Sequence, residues 1–401
     1  MVRWLYLDLN SFFASCEQQE NPDLRGKPVA VIPMMANTTS VLAASYEAKA
    51  FGIKTGTLVG DARRMCPGIR FVKSRHQTYI KYHHLVKEVV ESCVPIHSVC
   101  SVDEFACELT GTQQGLEVAI ALAEKIRAKI HDQVGVAVTC SIGLGPNVIL
   151  SKMATDMMKP NGLVTLEMED LPQKLMPLKL RDVPGIGAKM EYRLHHKGIK
   201  TMEQLLRLNE REMYNLWGSV VGSRYYHLLR GENLLIPRQK NQSIGHQHVL
   251  PPDTRTFEGS LGIAQKLLSK AAIRMRKENF LTRHLGISVK FLGQQESFER
   301  SIKLQETQDT SLLMTQLNRV YQEMPRKSKP LRVSIVLSDF RKAEEHQFSF
   351  FENTKKEQLF NIVDKLNEKF GRDTVYVGSL HDKLEAAPTF IAFSRIPELE
   401  E

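Results

Sequence analysis

Three acids interrupt apolar stretches of this chain: Asp8 in WLYLDLN, and Asp103 with Glu104 in SVCSVDEFACELTG. Alternation through the first stretch sets Trp4, Tyr6, Asp8 and Asn10 on one face and Leu5, Leu7 and Leu9 on the other, which is the period of a strand. A carboxylate held among such side chains needs a counter-charge, and no nearby Arg or Lys supplies one in either stretch. Hard divalent ions bind oxygen ligands, and magnesium takes a few carboxylates together with phosphate oxygens. Three carboxylates on adjoining strands suit a two-metal centre for phosphoryl transfer, one ion activating a hydroxyl and the other steadying a triphosphate. Neighbours on a regular strand point to opposite faces, so Asp103 and Glu104 share a site only if the chain twists or turns there.

The elements that must position these acids alternate along residues 1 to 170. Strand-like LYLDL, PVAVI, VCSVDEFACEL and VAVTCSIGLG are interleaved with helical GLEVAIALAEKIRAKIHDQ and NVILSKMATDMMK, an α/β pattern. From Leu171 to Arg238 the pattern is helical with Gly turns. A second α/β unit follows the polar PRQKNQ: HQHVL, a helix over 260–279, HLGISVKFL, SFERSIKL, a helix over 309–323, then LRVSIVLSDF. The last sixty residues hold one amphipathic helix, KKEQLFNIVDKLNEKF, with Leu359, Ile362, Val363, Leu366 and Phe370 at helical spacing and Gly371 as its stop.

The chain has 401 residues, 42% hydrophobic and 25% charged, the composition of a globular protein of several domains. No apolar run approaches the roughly 18 residues of a membrane span, and Asp8 breaks the run that a signal peptide would need, so a cytoplasmic protein is expected. Six cysteines without a C-x-x-C pair suggest reduced core thiols rather than disulfides or zinc. Net charge is −1 over residues 1–170, +7 over 171–240, +6 over 241–340 and −3 beyond. Basic charge confined to the middle suggests modules that grip a polyanion beside a separate chemical domain. Within the first basic segment, RDVPGIGAKMEYRL reads as helix, tight Gly turn, helix. Pro184, Gly185 and Gly187 let the backbone approach a phosphate, with Lys189 beside the following helix start, so DNA-backbone binding is expected there.

LYLDLNSFFASCE, SYEAKAFGIKTG, SVDEFACELTG, SKMATDMMKPNGL and DVPGIGAKM, in this order, resemble the signature segments of Y-family translesion DNA polymerases of the bacterial polymerase IV and polymerase V catalytic-subunit types. The resemblance spans residues 1 to about 340. It implies an α/β (α+β) right-hand fold: a ferredoxin-like palm with small fingers over 1–170 (fingers about 15–75), a helical helix-hairpin-helix thumb over 171–238, a separate α/β little finger over 241–340, and a tail over 341–401. The activity implied is error-prone addition of deoxynucleotides opposite damaged template, as in an SOS-type damage response, with two magnesium ions as cofactor.

Carried onto matching positions, Asp8, the Leu9 carbonyl, Asp103 and Glu104 hold the metals, and the three acids are catalytic. Phe12, Phe13, Tyr46, Lys49 and Lys159 meet the incoming nucleotide, Phe13 as the steric gate against a 2′-hydroxyl. Asn10, Leu42, Ala43, Lys49 and Phe105 depart from the commoner family residues, Asn10 as in the polymerase V type. In the tail, Gln347, Phe348, Phe350 and Phe351 are similar to Q-L-S-L-F peptides that dock on a sliding clamp, although their alternation also suits a core strand. Partners implied are primer-template DNA, deoxynucleoside triphosphates, the clamp and accessory subunits. A second reading is an accessory protein of the same fold that binds DNA and clamp without synthesis. Its expected loss of an acid is not seen, while Leu42 and Ala43 favour it.

Overall fold

A computed structural model describes residues 2–234, 242–326, 328–346 and 354–384. The described residues up to 234 form one compact unit and those from 242 a second.

The first unit opens with strand β1 (Trp4–Leu9) and helix α1 (Phe12–Glu20). A small insertion follows: β2 (Val29–Ile32), β3 (Ala43–Ala44), α2 (Tyr46–Lys49), α3 (Val59–Met65) and β4 (Arg70–Lys73), a three-stranded sheet in the order β3-β2-β4. The chain then returns through α4 (His76–Glu91), β5 (Ser98–Val99), β6 (Glu104–Glu108), α5 (Leu116–Gln133), β7 (Cys140–Gly145), α6 (Val148–Met157) and β8 (Leu163–Thr165). The main sheet has the order β5-β6-β1-β7-β8, with β1 antiparallel to both β6 and β7. Helices α4 and α5 as crossovers complete the β-α-β-β-α-β arrangement of a ferredoxin-like palm.

Every residue of β1 is buried because both faces of its sheet are covered. Leu5, Leu7 and Leu9 join a core with Tyr79, Val86 and Val90 of α4 and Ile126 and Ile130 of α5, while Trp4 and Tyr6 pack on the other face with Ala106 and Val148. Helix α5 earns its place by spacing: Ala119, Ala123, Ile126 and Ile130 recur on one side. Helix α6 lies so close to β7 that a Cβ on Gly143 would meet the Ser151 carbonyl at 2.0 Å. Only glycine admits that approach.

Four short helices follow, α7 (Ala188–His196), α8 (Met202–Leu206), α9 (Glu210–Trp217) and α10 (Val220–Leu228). Asn209 closes a capping box at the start of α9, and Gly218 ends it at φ 69°. Their apolar faces bury Leu194, Met202, Leu205, Met213 and Leu216 against Leu150 and Met153 of α6, so the helical layer shares a core with the helix behind the palm sheet.

The second unit is an antiparallel sheet of β9 (Ser243–Val249), β10 (Phe280–Phe291), β11 (Ser297–Thr307) and β12 (Pro330–Lys342) in the order β11-β10-β12-β9, with α11 (Phe257–Lys277) and α12 (Thr310–Tyr321) packed on it. The boundary expected at 340/341 is not a structural one. Strand β12 runs on to Lys342, and α13 (Thr354–Phe370) and the turn after it are part of this unit.

Helix α13 also corrects the amphipathic reading, since Leu359, Ile362 and Phe370 are more than half exposed. The less exposed side of the helix is mixed, carrying Phe360, Val363, Asp364 and Asn367. The nearly buried Arg276 gives two hydrogen bonds to Asp364 (2.6 and 2.9 Å), and the buried Lys266 pairs with Asp373 (2.7 Å). Buried cations need their carboxylates more than the apolar stripe needs cover. Asp364→Ala strands the Arg276 charge, and urea unfolding of the full chain should register a loss of about 3 kcal/mol.

Candidate active site

Residues from β1, the turn before β6, and α6 with its following loop converge at one end of the palm sheet. Asp8 stands directly opposite Glu104 in the β1–β6 register. Asp103 precedes β6, in a bend where its backbone carbonyl takes the Leu9 N–H (2.9 Å), so the two adjacent acids escape strict strand alternation. That bend is braced from behind. Ser101 donates to Asp103 Oδ1 (2.5 Å), and the ring of buried His83 stacks on buried Phe105 with centroids 5.1 Å apart. Phe105 thus lies on the core side, away from Glu104. His83 Nδ1 lies 2.7 Å from the Val102 carbonyl, which can only accept, so Nδ1 carries the proton.

The counter-charge comes from a distance that sequence neighbourhood does not reveal. Lys152 on α6 places its ammonium 2.5 Å from Asp8 Oδ2 and in contact with Glu104 Oε1, and Lys159 reaches Asp8 Oδ2 at 2.8 Å and Asp156 at 2.7 Å. Tyr6 donates to the other Glu104 oxygen (3.0 Å). Lys152, Asp156 and Lys159 follow one another at i, i+4 and i+7, the spacing of a single helical face; that was the signal available in SKMATDMMK.

Burial pushes the Asp8 carboxyl up, but the two ammoniums outweigh it and hold Asp8 below the ordinary carboxylate range. Asp103 goes the other way: burial raises it, the Ser101 hydrogen bond opposes, and the charges of Asp8 and Glu104 add to the rise. Burial also lowers Lys152 and Lys159, yet the acids they touch leave both above the usual lysine value.

Among the described residues no three His, Cys, Asp or Glu side chains converge as a ready-made metal cage. Between Asp8 and Glu104 the Lys152 ammonium stands in as the cation. An oxygen-only donor set that already brackets one positive charge fits a hard divalent ion, with Leu9 next to Asp8 in the chain.

The other expected residues lie nearby in part. Phe13 stacks on Tyr79 (4.1 Å, 12°), whose hydroxyl donates to buried Glu17 (2.7 Å), and Arg75 grips the same carboxylate. Phe12 is 3% exposed within the palm core, so its ring is not open to a ligand. Lys49 sits over the Tyr46 ring (4.2 Å), and the Tyr46 hydroxyl lies 3.4 Å from the Asn10 amide. Asn10 is buried and structural: its oxygen takes N–H groups of Cys140 (3.3 Å) and Asn161 (2.9 Å), tying β1 to the loop after Lys159. Glu17, Arg75, Tyr79 and Lys152 were missed in the sequence.

The hairpin residues are elsewhere in the unit. Gly185 has φ +91°, and a Cβ there would meet the Tyr225 hydroxyl at 2.1 Å, which itself donates to the Pro184 carbonyl (2.5 Å). Gly187 precedes α7, and Lys189 is exposed in its first turn. Gln347, Phe348, Phe350 and Phe351 lie outside the described residues. Among the described residues no helix is long and apolar enough to cross a membrane, and all six cysteines are free.

Residues 7–156 match the impB/mucB/samB family, 241–350 its C-terminal domain, and 181–233 the DNA polymerase-iota thumb domain. The chain is 37% identical over 292 residues to DNA polymerase IV of Moorella thermoacetica, covering 71% of this chain and 72% of that one. It is 31% identical over 382 residues to DNA polymerase IV of Pelotomaculum thermopropionicum, covering 92% and 93%. Among solved structures, a Y-family DNA polymerase chimera of Dbh and Dpo4 aligns with TM-score 0.70 at 23% identity over 84% of this chain and 98% of that one. DinB from Sulfolobus solfataricus aligns at 0.54 with 24% identity over the same shares. The fold is that of these polymerases, and the chain belongs to the Y-family DNA polymerases.

The brace behind Asp103 has a pH signature. Burial depresses His83 to about 4, so below pH ~6.5 the unfolded chain takes up a proton that the folded one refuses, and stability falls as pH drops from ~6.5 toward ~4. His76 and His248 are depressed in the same way. Thermal unfolding from pH 7.5 to 4.5 should therefore show His83→Leu less stable than wild type at pH 7.5 but losing less as the pH is lowered.

Proposed function

We propose that this chain is an error-prone, template-directed DNA polymerase that extends a primer 3′ end opposite damaged template in a damage response. The observation that carries the reading is the convergence of Asp8, Asp103 and Glu104 with Lys152 and Lys159 at one end of the palm sheet. In this reading Asp8, the Leu9 carbonyl, Asp103 and Glu104 hold two magnesium ions. Bound there, such ions would supply charge stabilisation and make the primer hydroxyl easier to deprotonate.

The remaining work belongs to the chain. Lys159, Lys49 and Tyr46 receive the triphosphate, their positive charge offsetting that of the pyrophosphate that leaves. Phe13, kept flat against Tyr79, faces the sugar, and a 2′-hydroxyl would collide with its ring; Phe12 adds a backbone contact. The Pro184–Gly187 turn and Lys189 hold the DNA backbone without regard to sequence, and the basic second unit extends that grip. Gln347, Phe348, Phe350 and Phe351 are proposed to dock on a sliding clamp, with accessory subunits as further partners. Their support is the sequence likeness alone.

Primer extension on undamaged and lesion-bearing templates tests the reading. Wild type should extend both, and Asp103→Ala should lose at least about a hundredfold in rate. Phe13→Ala should retain deoxynucleotide addition while raising ribonucleotide addition. Extension that survives Asp103→Ala would overturn the assignment of the acids, and primer-template binding without extension by wild type would favour the accessory-protein reading.

A further inference from the structure

One side chain joins the helical layer to the helix that carries the active-site lysines. Asn147 is 1% exposed and precedes α6. Its Oδ1 accepts the Leu150 N–H (2.9 Å), capping the start of α6. Its Nδ2 donates to the Leu228 carbonyl (2.8 Å) and to the Glu232 carbonyl (2.9 Å). Leu228 is the last residue of α10, where final carbonyls have no partner within the helix, and its carbonyl also takes the Gly231 N–H (3.1 Å). A single amide therefore caps two helices head to tail, one from each layer. Beside it, Trp4 of β1 donates through Nε1 to Asn233 Oδ1 (3.0 Å), so the strand that carries Asp8 holds the same stretch of chain.

Helix α6 has little freedom to absorb a shift at its start. The Ser151 hydroxyl is shared between the Trp4 carbonyl (3.2 Å) and the Asn147 carbonyl (2.9 Å). Gly143 and Gly145 bring β7 against the same turn at distances where a Cβ would clash. A displacement at Asn147 thus moves α6 as a rigid piece, and with it Lys152, Asp156 and the loop bearing Lys159.

We propose that Asn147 is a positioning residue that registers the helical layer α7–α10 against α6, so that DNA held by the Pro184–Gly187 turn presents its primer end in line with the acids. The inference rests on the polymerase reading above. Asn147 touches neither substrate nor the reacting atoms. Its effect is on how well a bound primer is aligned, not on whether DNA binds, and misplacement of about an ångström is enough to slow a reaction severely.

Asn147→Ser keeps an oxygen to cap α6 but lacks both amide donors, and Asn147→Asp keeps cap and size while losing the same donors. Each is compared with wild type by circular dichroism, by primer-template Kd from fluorescence anisotropy, and by the maximum rate of single-nucleotide addition under single turnover. The expected result, in whichever variant is folded, is a Kd within about threefold of wild type and an addition rate at least about tenfold lower. A rate loss smaller than that, or a Kd that weakens in step with the rate, overturns the proposal, since a loosened fold would move both. Wild type that binds primer-template yet adds no nucleotide would instead sink the polymerase reading itself.

Discussion

The Asp8 carboxylate, 6% exposed in the middle of a strand buried on both faces, sets the terms for the rest of the first unit. Such a charge persists only beside an opposite one. The structure answers with Lys152, 144 residues later in the chain, and with Lys159 from the loop that follows. Bringing those ammoniums to β1 demands that α6 lie against the sheet, and lying there demands glycine at 143 and 145 in β7. The acid, the helix and the two glycines form one constraint distributed over three elements.

That constraint extends outward. Because α6 is held on its sheet side by Ser151 and on its helical-layer side by Leu150 and Met153, the thumb helices fold onto the same piece of structure that carries the lysines. Asn147 marks the junction. On the opposite flank the Asp103 bend is backed by His83 and Phe105, and Phe13 is backed by Tyr79 held through Glu17 and Arg75. The Asp103 bend and Phe13 are each supported by buried partners that have no assigned contact with substrate. This is how a site is kept within the tolerance that positioning requires.

Much of this architecture was legible in the sequence because its signals are local. Alternation in WLYLDLN placed Asp8 on the aromatic face of a buried strand, and the elements of the second unit follow their hydrophobic periods to within a few residues. The bend that lets Asp103 and Glu104 escape strand alternation was foreseeable as a requirement. Its His83 brace was not, since the two lie twenty residues apart on different elements. That Lys152 and Lys159 share a helical face was readable in SKMATDMMK, but that this face meets Asp8 was not, since pairing across 144 residues leaves no local mark. Helix α13 failed differently. Its apolar stripe predicted the packed side, but the helix is turned so that Asp364 meets Arg276, buried on α11, and only Val363 of the stripe stays half-buried beside it.

The acids facing Lys152 are proposed to form a divalent-cation site into which the chain's own ammonium now reaches. Titrating wild-type protein and Asp8→Asn with Mn2+, and following the free ion by electron paramagnetic resonance, tests it without any substrate. Wild type should remove free Mn2+ from solution, and Asp8→Asn should remove markedly less. Equal depletion by both proteins, or none by wild type, would contradict it.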